Sequence, residues 1–147
     1  MRLFGNKFFK RSEEREIMLA IRQAEKLCSG EVRLFVESNC KIATHERALE
    51  VFEKLKMHET NGRNAVLIYV AMKDRKFAIF GDEGIHHKLG FSFWTEEAAV
   101  LKSFFKEDKI VEGLCQVVLD IGQVLKEHFP FSASDGNQLS DKPVYGD

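Results

Sequence analysis

The feature that most limits this chain is Ala65 to Met72, eight residues with no charge among them. A run this short and this apolar reads as a strand covered on both faces, and other elements must supply both covers. Asp74-Arg75 follows as a tight turn, and Lys76 to Phe80 reads as the antiparallel partner in a hairpin. Upstream, Val32, Leu34 and Val36 alternate with Arg33, Phe35 and Glu37, so Glu31 to Ser38 is a further strand.

The covers are helical. Ile17, Ala20, Ile21, Ala24, Leu27 and Cys28 recur at helical spacing after Ser12, a residue type suited to an N-cap. Glu13 and Glu14 fall in the first turn, where negative charge suits the helix dipole, and Ser29-Gly30 stops the helix. A second helix is expected over roughly Thr44 to Lys56, burying Ala48, Val51, Phe52 and Leu55. The polar stretch His58 to Asn64 is a loop, and Gly81-Asp82-Glu83-Gly84 is a break rich in turn residues. Two more helices are expected. One runs from about Ser92 to Phe105, with Trp94 in the core, and the other from the N-cap Asp108 to about Glu127, ended by Pro130. The order helix, strand, helix, strand, strand, helix, helix predicts an α/β fold, a three-layer α/β/α sandwich with a small mixed sheet. The connection between the first two strands is long enough for a parallel crossover.

The 147 residues fit one domain. Residues 12–131 are expected to form it, after a basic and aromatic extension (1–11) and before a polar, acidic tail (132–147). The net charge is −1, from 22 basic and 23 acidic residues, and the body of the chain has no basic stripe. No nucleic-acid partner is therefore expected. In the extension, Arg2, Lys7, Lys10 and Arg11 alternate with Leu3, Phe4, Phe8 and Phe9. A membrane-surface helix can look like this; a short segment that packs its Phe residues on the domain is the favoured reading. The extension is too short and polar for a signal peptide or a span, and no transmembrane segment is expected. Cys28, Cys40 and Cys115 are odd in number and form no C-x-x-C pair, which excludes a zinc ribbon or a thioredoxin motif. The cytoplasm is the expected compartment.

The hairpin Arg63 to Ile85, the stretch Ser29-Gly30-Glu31-Val32-Arg33 and the segment Phe105 to Gly113 resemble the TPM domain family, over about Ser12 to Leu125. The family includes plant thylakoid proteins linked to photosystem II repair, a membrane modulator of acetylcholine receptors and many bacterial proteins. The resemblance implies an α/β/α sandwich. Some members are described as acid phosphatases and some as binding calcium or other divalent ions. The chain looks like the short, stand-alone bacterial form. The Asp-x-Ala-Gly-x-Leu segment that usually precedes the first helix does not occur in it, and the family's usual signal peptide and membrane span are not expected.

Strand polarity supplies a candidate site. The first strand starts at Glu31, the parallel second at Asn64-Ala65, and the antiparallel third finishes at Gly81-Asp82. Glu31, Asn61, Arg63, Asn64, Asp82 and Glu83 are therefore expected at one end of the sheet. Hard divalent cations take several oxygen ligands, so calcium, with magnesium or another divalent ion as the variant, is the expected ligand. The competing reading is a turn with solvated charges and an Arg63–Asp82 ion pair. In the tail, Asp135, Asn137 and Asp141 place oxygens as at the start of a calcium loop, without the later Gly and Glu of an EF-hand; a loose polar terminus is the competing reading. His45, His58 and His128 read as surface residues. No P-loop, G-x-S-x-G or G-x-G-x-x-G motif occurs. Two functional classes remain: a cation-binding module with a regulatory or protein-interaction role, and a metal-assisted acid phosphatase, for which no nucleophile stands out.

Overall fold

The structure is a computed structural model that describes residues 8–130 and 142–146, of 91 and 92 the backbone alone. Four strands form a mixed sheet in the order β3-β2-β1-β4. They are β1 (Glu31–Glu37), β2 (Ala65–Ala71), β3 (Lys76–Gly81) and β4 (Val144–Tyr145). Five helices are α1 (Arg11–Leu27), α2 (Thr44–Lys54), α3 (Glu83–Leu89), α4 (Phe91–Lys106) and α5 (Ile110–His128). The expected α/β sandwich is the observed one.

Strand β2 is buried along its whole length. Its alternation assigns the two cores. Val66, Ile68 and Val70 join Val32, Leu34 and Val36 of β1 beneath α1, α4 and α5. Ala65, Leu67, Tyr69 and Ala71 join Phe35 beneath α2. A side chain such as Ile68 contributes about 1.5–3 kcal/mol by burial. Strands β1 and β2 are parallel, with Glu31 opposite Ala65 and Glu37 opposite Ala71. Strands β2 and β3 are antiparallel, with Ala71 opposite Lys76 and Val66 opposite Gly81.

Helices α1 and α5 cross closely because Gly122 presents no side chain. A Cβ there would lie 2.7 Å from the Ala24 Cβ and 2.8 Å from its Cα. Cys28 closes this layer as a small core residue, and burial pushes its thiol up to about 11, so it stays protonated and inert.

The structure differs from the sequence reading at several ends. Helix α1 begins two residues earlier, with Lys10 at the N-cap position and Arg11 as its first residue. Its cap is not Ser12 but the Glu13 carboxylate, which accepts from the Lys10 N–H at 2.8 Å. Helix α5 is preceded by Lys109 rather than capped by Asp108, whose φ of 57° lies outside the range of an N-cap. The turn between β2 and β3 spans residues 72–75 rather than two. Helix α3 fills part of the stretch read as a break. Strand β4 lies in the stretch read as an unpatterned tail and pairs in parallel with Phe35 and Val36. Tyr145 anchors it, donating to Glu14 Oε2 at 2.5 Å and lying against the Phe8 and Phe9 rings. The expected packing of Phe8 and Phe9 on the domain is thus observed. Among the described residues no helix is long and apolar enough to cross a membrane.

Candidate functional site

The register of three strands places Glu31, Ala65 and Asp82 in one row. Glu31 is opposite Ala65, and the Asp82 N–H donates to the Ala65 carbonyl at 3.0 Å. Directly opposed residues share a sheet face, so Glu31 and Asp82 project to the side where Ala65 meets the α2 core. Their relative exposures are 2% and 4%, and that of Asn64 is 2%. Three oxygen-bearing side chains are therefore buried at the end of the sheet where the parallel strands begin.

Asn64 clamps the loops that meet there. Its N–H donates to Thr60 Oγ1 at 3.3 Å, its Nδ2 donates to Ser29 Oγ at 3.2 Å, and its carbonyl accepts from the Glu31 N–H at 3.3 Å. Asp82 is held more tightly. Arg63 donates to it twice, Nε to Oδ2 at 2.7 Å and Nη2 to Oδ1 at 2.9 Å. Oδ1 also caps α3 by accepting from the Glu83 N–H at 2.8 Å. Glu83 lies 3.2 Å from Arg63 Nη1, with its side chain 63% exposed. The Asp82 carboxylate beside it holds the Arg63 guanidinium above its ordinary pKa. Arg63 can reach this position because its φ is 48°, the left-handed region that folds the loop back. Gly84 completes the fit: a Cβ there would lie 2.4 Å from the Gly62 carbonyl oxygen and 2.7 Å from that of Arg63.

The sequence-derived set is thus brought together in part. Glu31, Asn64, Asp82 and Glu83 share one end of the sheet, while Asp135, Asn137 and Asp141 lie outside the described residues. The Arg63–Asp82 pair exists, so Asp82 already has a cationic partner. Among the described residues, no group of three or more His, Cys, Asp or Glu side chains is placed to hold an ion. As it stands, the described cluster is a latch between loop and helix.

Beside the latch runs an open groove of about 820 Å³. Arg63, Asp82 and Glu83 are among the residues that line it, and so are His58 and His86. Sequence reasoning placed His58 on the surface, and it is exposed. It did not see two imidazoles lining one groove with these carboxylates, because their spacing of 28 residues is bridged by the hairpin between them.

A second polar cluster lies at the other end of the sheet. Glu37, the last residue of β1, is 7% exposed and shares its face with Phe35. Arg47 of α2 donates to it from Nε at 2.8 Å and from Nη2 at 3.0 Å, and the Tyr69 hydroxyl donates to Glu37 Oε2. Burial, then this bond, pushes the tyrosine pKa far up, so it remains a hydroxyl. Asp74 accepts from the Cys40 N–H at 2.7 Å and from Asn39 at 3.0 Å, and the Cys40 bond is the main reason its pKa is lowered. A cleft of about 940 Å³ opens above, with Lys41, Arg47 and Lys73 on its walls. Sequence reasoning missed this cluster. The available signal was a carboxylate at an inward position of an alternating strand, at the carboxyl end where open α/β sheets usually bind ligands.

The TPM domain family model matches residues 5–124, most of the chain. The chain belongs to the TPM domain family. An NMR structure of the BA42 protein from the psychrophilic bacterium Bizionia argentinensis is 36% identical, with a TM-score of 0.89, covering 96% of this chain and 97% of that one. The N-terminal domain of a protein from P. gingivalis, also solved by NMR, is 16% identical with a TM-score of 0.68, covering 84% of this chain and 80% of that one. That second likeness concerns the fold alone. No curated protein matches the chain. The matched span of the TPM domain contains both polar clusters and ends inside α5.

Proposed function

We propose that this TPM domain is a divalent-cation-binding module, with calcium as the preferred ion, and that the cation state regulates a protein interaction. The site is the end of the sheet marked by Glu31, Asn64, Asp82 and Glu83, completed by Asp135, Asn137 or Asp141. The observation that carries the reading is the set of buried oxygens of Glu31, Asn64 and Asp82 at one end of the sheet. Calcium takes six to eight oxygen ligands and tolerates irregular geometry, which suits carboxylates and an amide drawn from separate loops. Arg63 is the internal competitor. It neutralises Asp82 without an ion, and its side chain is 42% exposed, so it can leave for solvent. A cytoplasmic setting belongs to the same proposal and suits the free thiols Cys28, Cys40 and Cys115.

Thermal melting tests the proposal. An ion that binds only the native state at about 100 times its dissociation constant adds about 2.7 kcal/mol. Calcium is expected to raise the melting temperature, magnesium to raise it less because it gives up water reluctantly, and Asp82→Asn to remove most of the shift. An unchanged melting temperature in millimolar calcium rejects the site.

The second reading, a metal-assisted acid phosphatase, is favoured by one observation: Arg63, His58 and His86 line the same groove as Asp82. A guanidinium can hold phosphoryl oxygens and an imidazole can move a proton. No residue there stands out as a nucleophile. Turnover of p-nitrophenyl phosphate with and without calcium or magnesium separates the readings. The binding-module reading expects none above background. A metal-dependent rate abolished by Asp82→Ala would establish the second.

A further inference from the structure

The outer edge of β3 carries one of the usual devices that keep sheet edges apart, Lys76 at its start, and none beyond it. Strand β3 is terminal in the order β3-β2-β1-β4. After Lys76 it reads Phe77-Ala78-Ile79-Phe80-Gly81, with no charge and no proline. Natural edges are normally blunted by lysine, proline or a bulge, because their free amides and carbonyls template pairing.

The hydrogen-bond parity of this edge is fixed. Asp82 donates to Ala65, so the main-chain groups of Ala78 and Phe80 also face β2. Those of Phe77, Ile79 and Gly81 face outward, and among the described residues no backbone bond is made to their amides. The neighbouring groove agrees with an open edge. Its lining includes Phe80 with Leu49 and Phe52 from the α2 side, and Ile79 with Trp94 from the opposite side. Residues on both faces of one strand can line a single groove only where the groove passes over that strand's edge or its end, and Ile79 and Phe80 lie on this one short of the end at Gly81. Leu49 there is 42% exposed.

The geometry points to a second copy of this chain as the occupant, joined by antiparallel β3–β3 pairing about a two-fold axis at Ile79. Outward residues then meet outward residues: Ile79 bonds Ile79 of the second copy, and Phe77 bonds its Gly81. Small residues face large ones, Ala78 against Phe80 and Gly81 against Phe77. Charge selects this register. Lys76 falls opposite Asp82 of the second copy and beside its exposed Glu83, two carboxylates that the single charge of Arg63 only half neutralises, and symmetry repeats the pair. Moving the axis to Ala78 sets Asp74 against Asp82, two carboxylates. A closed two-fold contact of this kind is isologous and produces one continuous eight-stranded sheet.

Sedimentation over a hundredfold range of protein concentration, in EDTA so that cation binding plays no part, tests this together with amide hydrogen exchange. A reversible monomer–dimer equilibrium is expected, with the amides of Phe77, Ile79 and Gly81 gaining protection in the dimer. Lys76→Glu, at an exposed position that leaves the core intact, is expected to weaken the dimer about tenfold over the two symmetric pairs, or about 1.4 kcal/mol. Adding Glu83→Lys in the same chain should restore it. A chain that stays monomeric with fast exchange at those amides contradicts the proposal. So does a monomer in which they are protected, since another segment of the chain then covers the edge. A dimer indifferent to Lys76→Glu uses a different surface and also overturns it.

Discussion

Glu97 is a carboxyl only 4% exposed between α4 and α5, and burial, followed by its hydrogen bond with Asp120, raises its pKa to about 8. The native state therefore keeps a proton that the unfolded chain releases near 4.5. The contribution of this group to stability is full below about pH 4.5 and falls as the pH rises to about 8, by at most about 1.4 kcal/mol per unit. Glu97→Gln should flatten that slope and melt higher than the parent above pH 8, as read by melting temperature against pH. Gln116, which donates to Asp120 at 2.8 Å, remains in both. At the far end of β1, Arg47→Ala leaves Glu37 buried with only the Tyr69 hydroxyl. With the arginine side chain 26% exposed, the expected loss is about 2–3 kcal/mol, below the 3–5 of a fully buried pair. Urea unfolding measures it. Residue by residue, legibility followed geometry. The Arg63–Asp82 pair could be read because strand polarity alone brings positions 63 and 82 to one sheet end. The Glu37–Arg47–Tyr69 cluster could not, because it needs the rotation of α2 over the sheet as well as strand order.

Elements were legible in proportion to how many residues repeat a pattern. Strand β2 and helix α5 announce themselves through seven and nineteen residues. Strand β4 has two residues, and two residues have no period. Helix α3 has seven and lies between glycines that usually signal a turn; its cap, Asp82, reads equally well as a loop carboxylate. Helix crossings are less visible still, since a glycine inside a helix reads as a weakness until its neighbour is known. Gly122→Ala should push α1 from α5 at Ala24 and cost about 1–3 kcal/mol, measured by urea unfolding, whereas the same change at an open helical site would stabilise.

At the scale of the molecule, the sheet has two polar ends with different chemistry. One holds Glu31, Asn64 and Asp82 behind the Arg63 latch; the other holds Glu37 bound by Arg47 beneath a cleft with lysines on its walls. Strand polarity decided which residues share an end, so the gathering of Glu31, Asn64 and Asp82 was readable from sequence. Whether an ion can displace Arg63 from Asp82 was not. Replacing that competitor with Arg63→Gln should tighten calcium binding while lowering the melting temperature of the ion-free protein. The most direct measurement is a calcium titration followed through backbone amide resonances of the full chain. The account expects saturable shifts centred on residues 31, 64, 82 and 83, with those around 37, 41 and 73 unmoved. Shifts confined to the second set, or no saturable shift at either end in millimolar calcium, would contradict it.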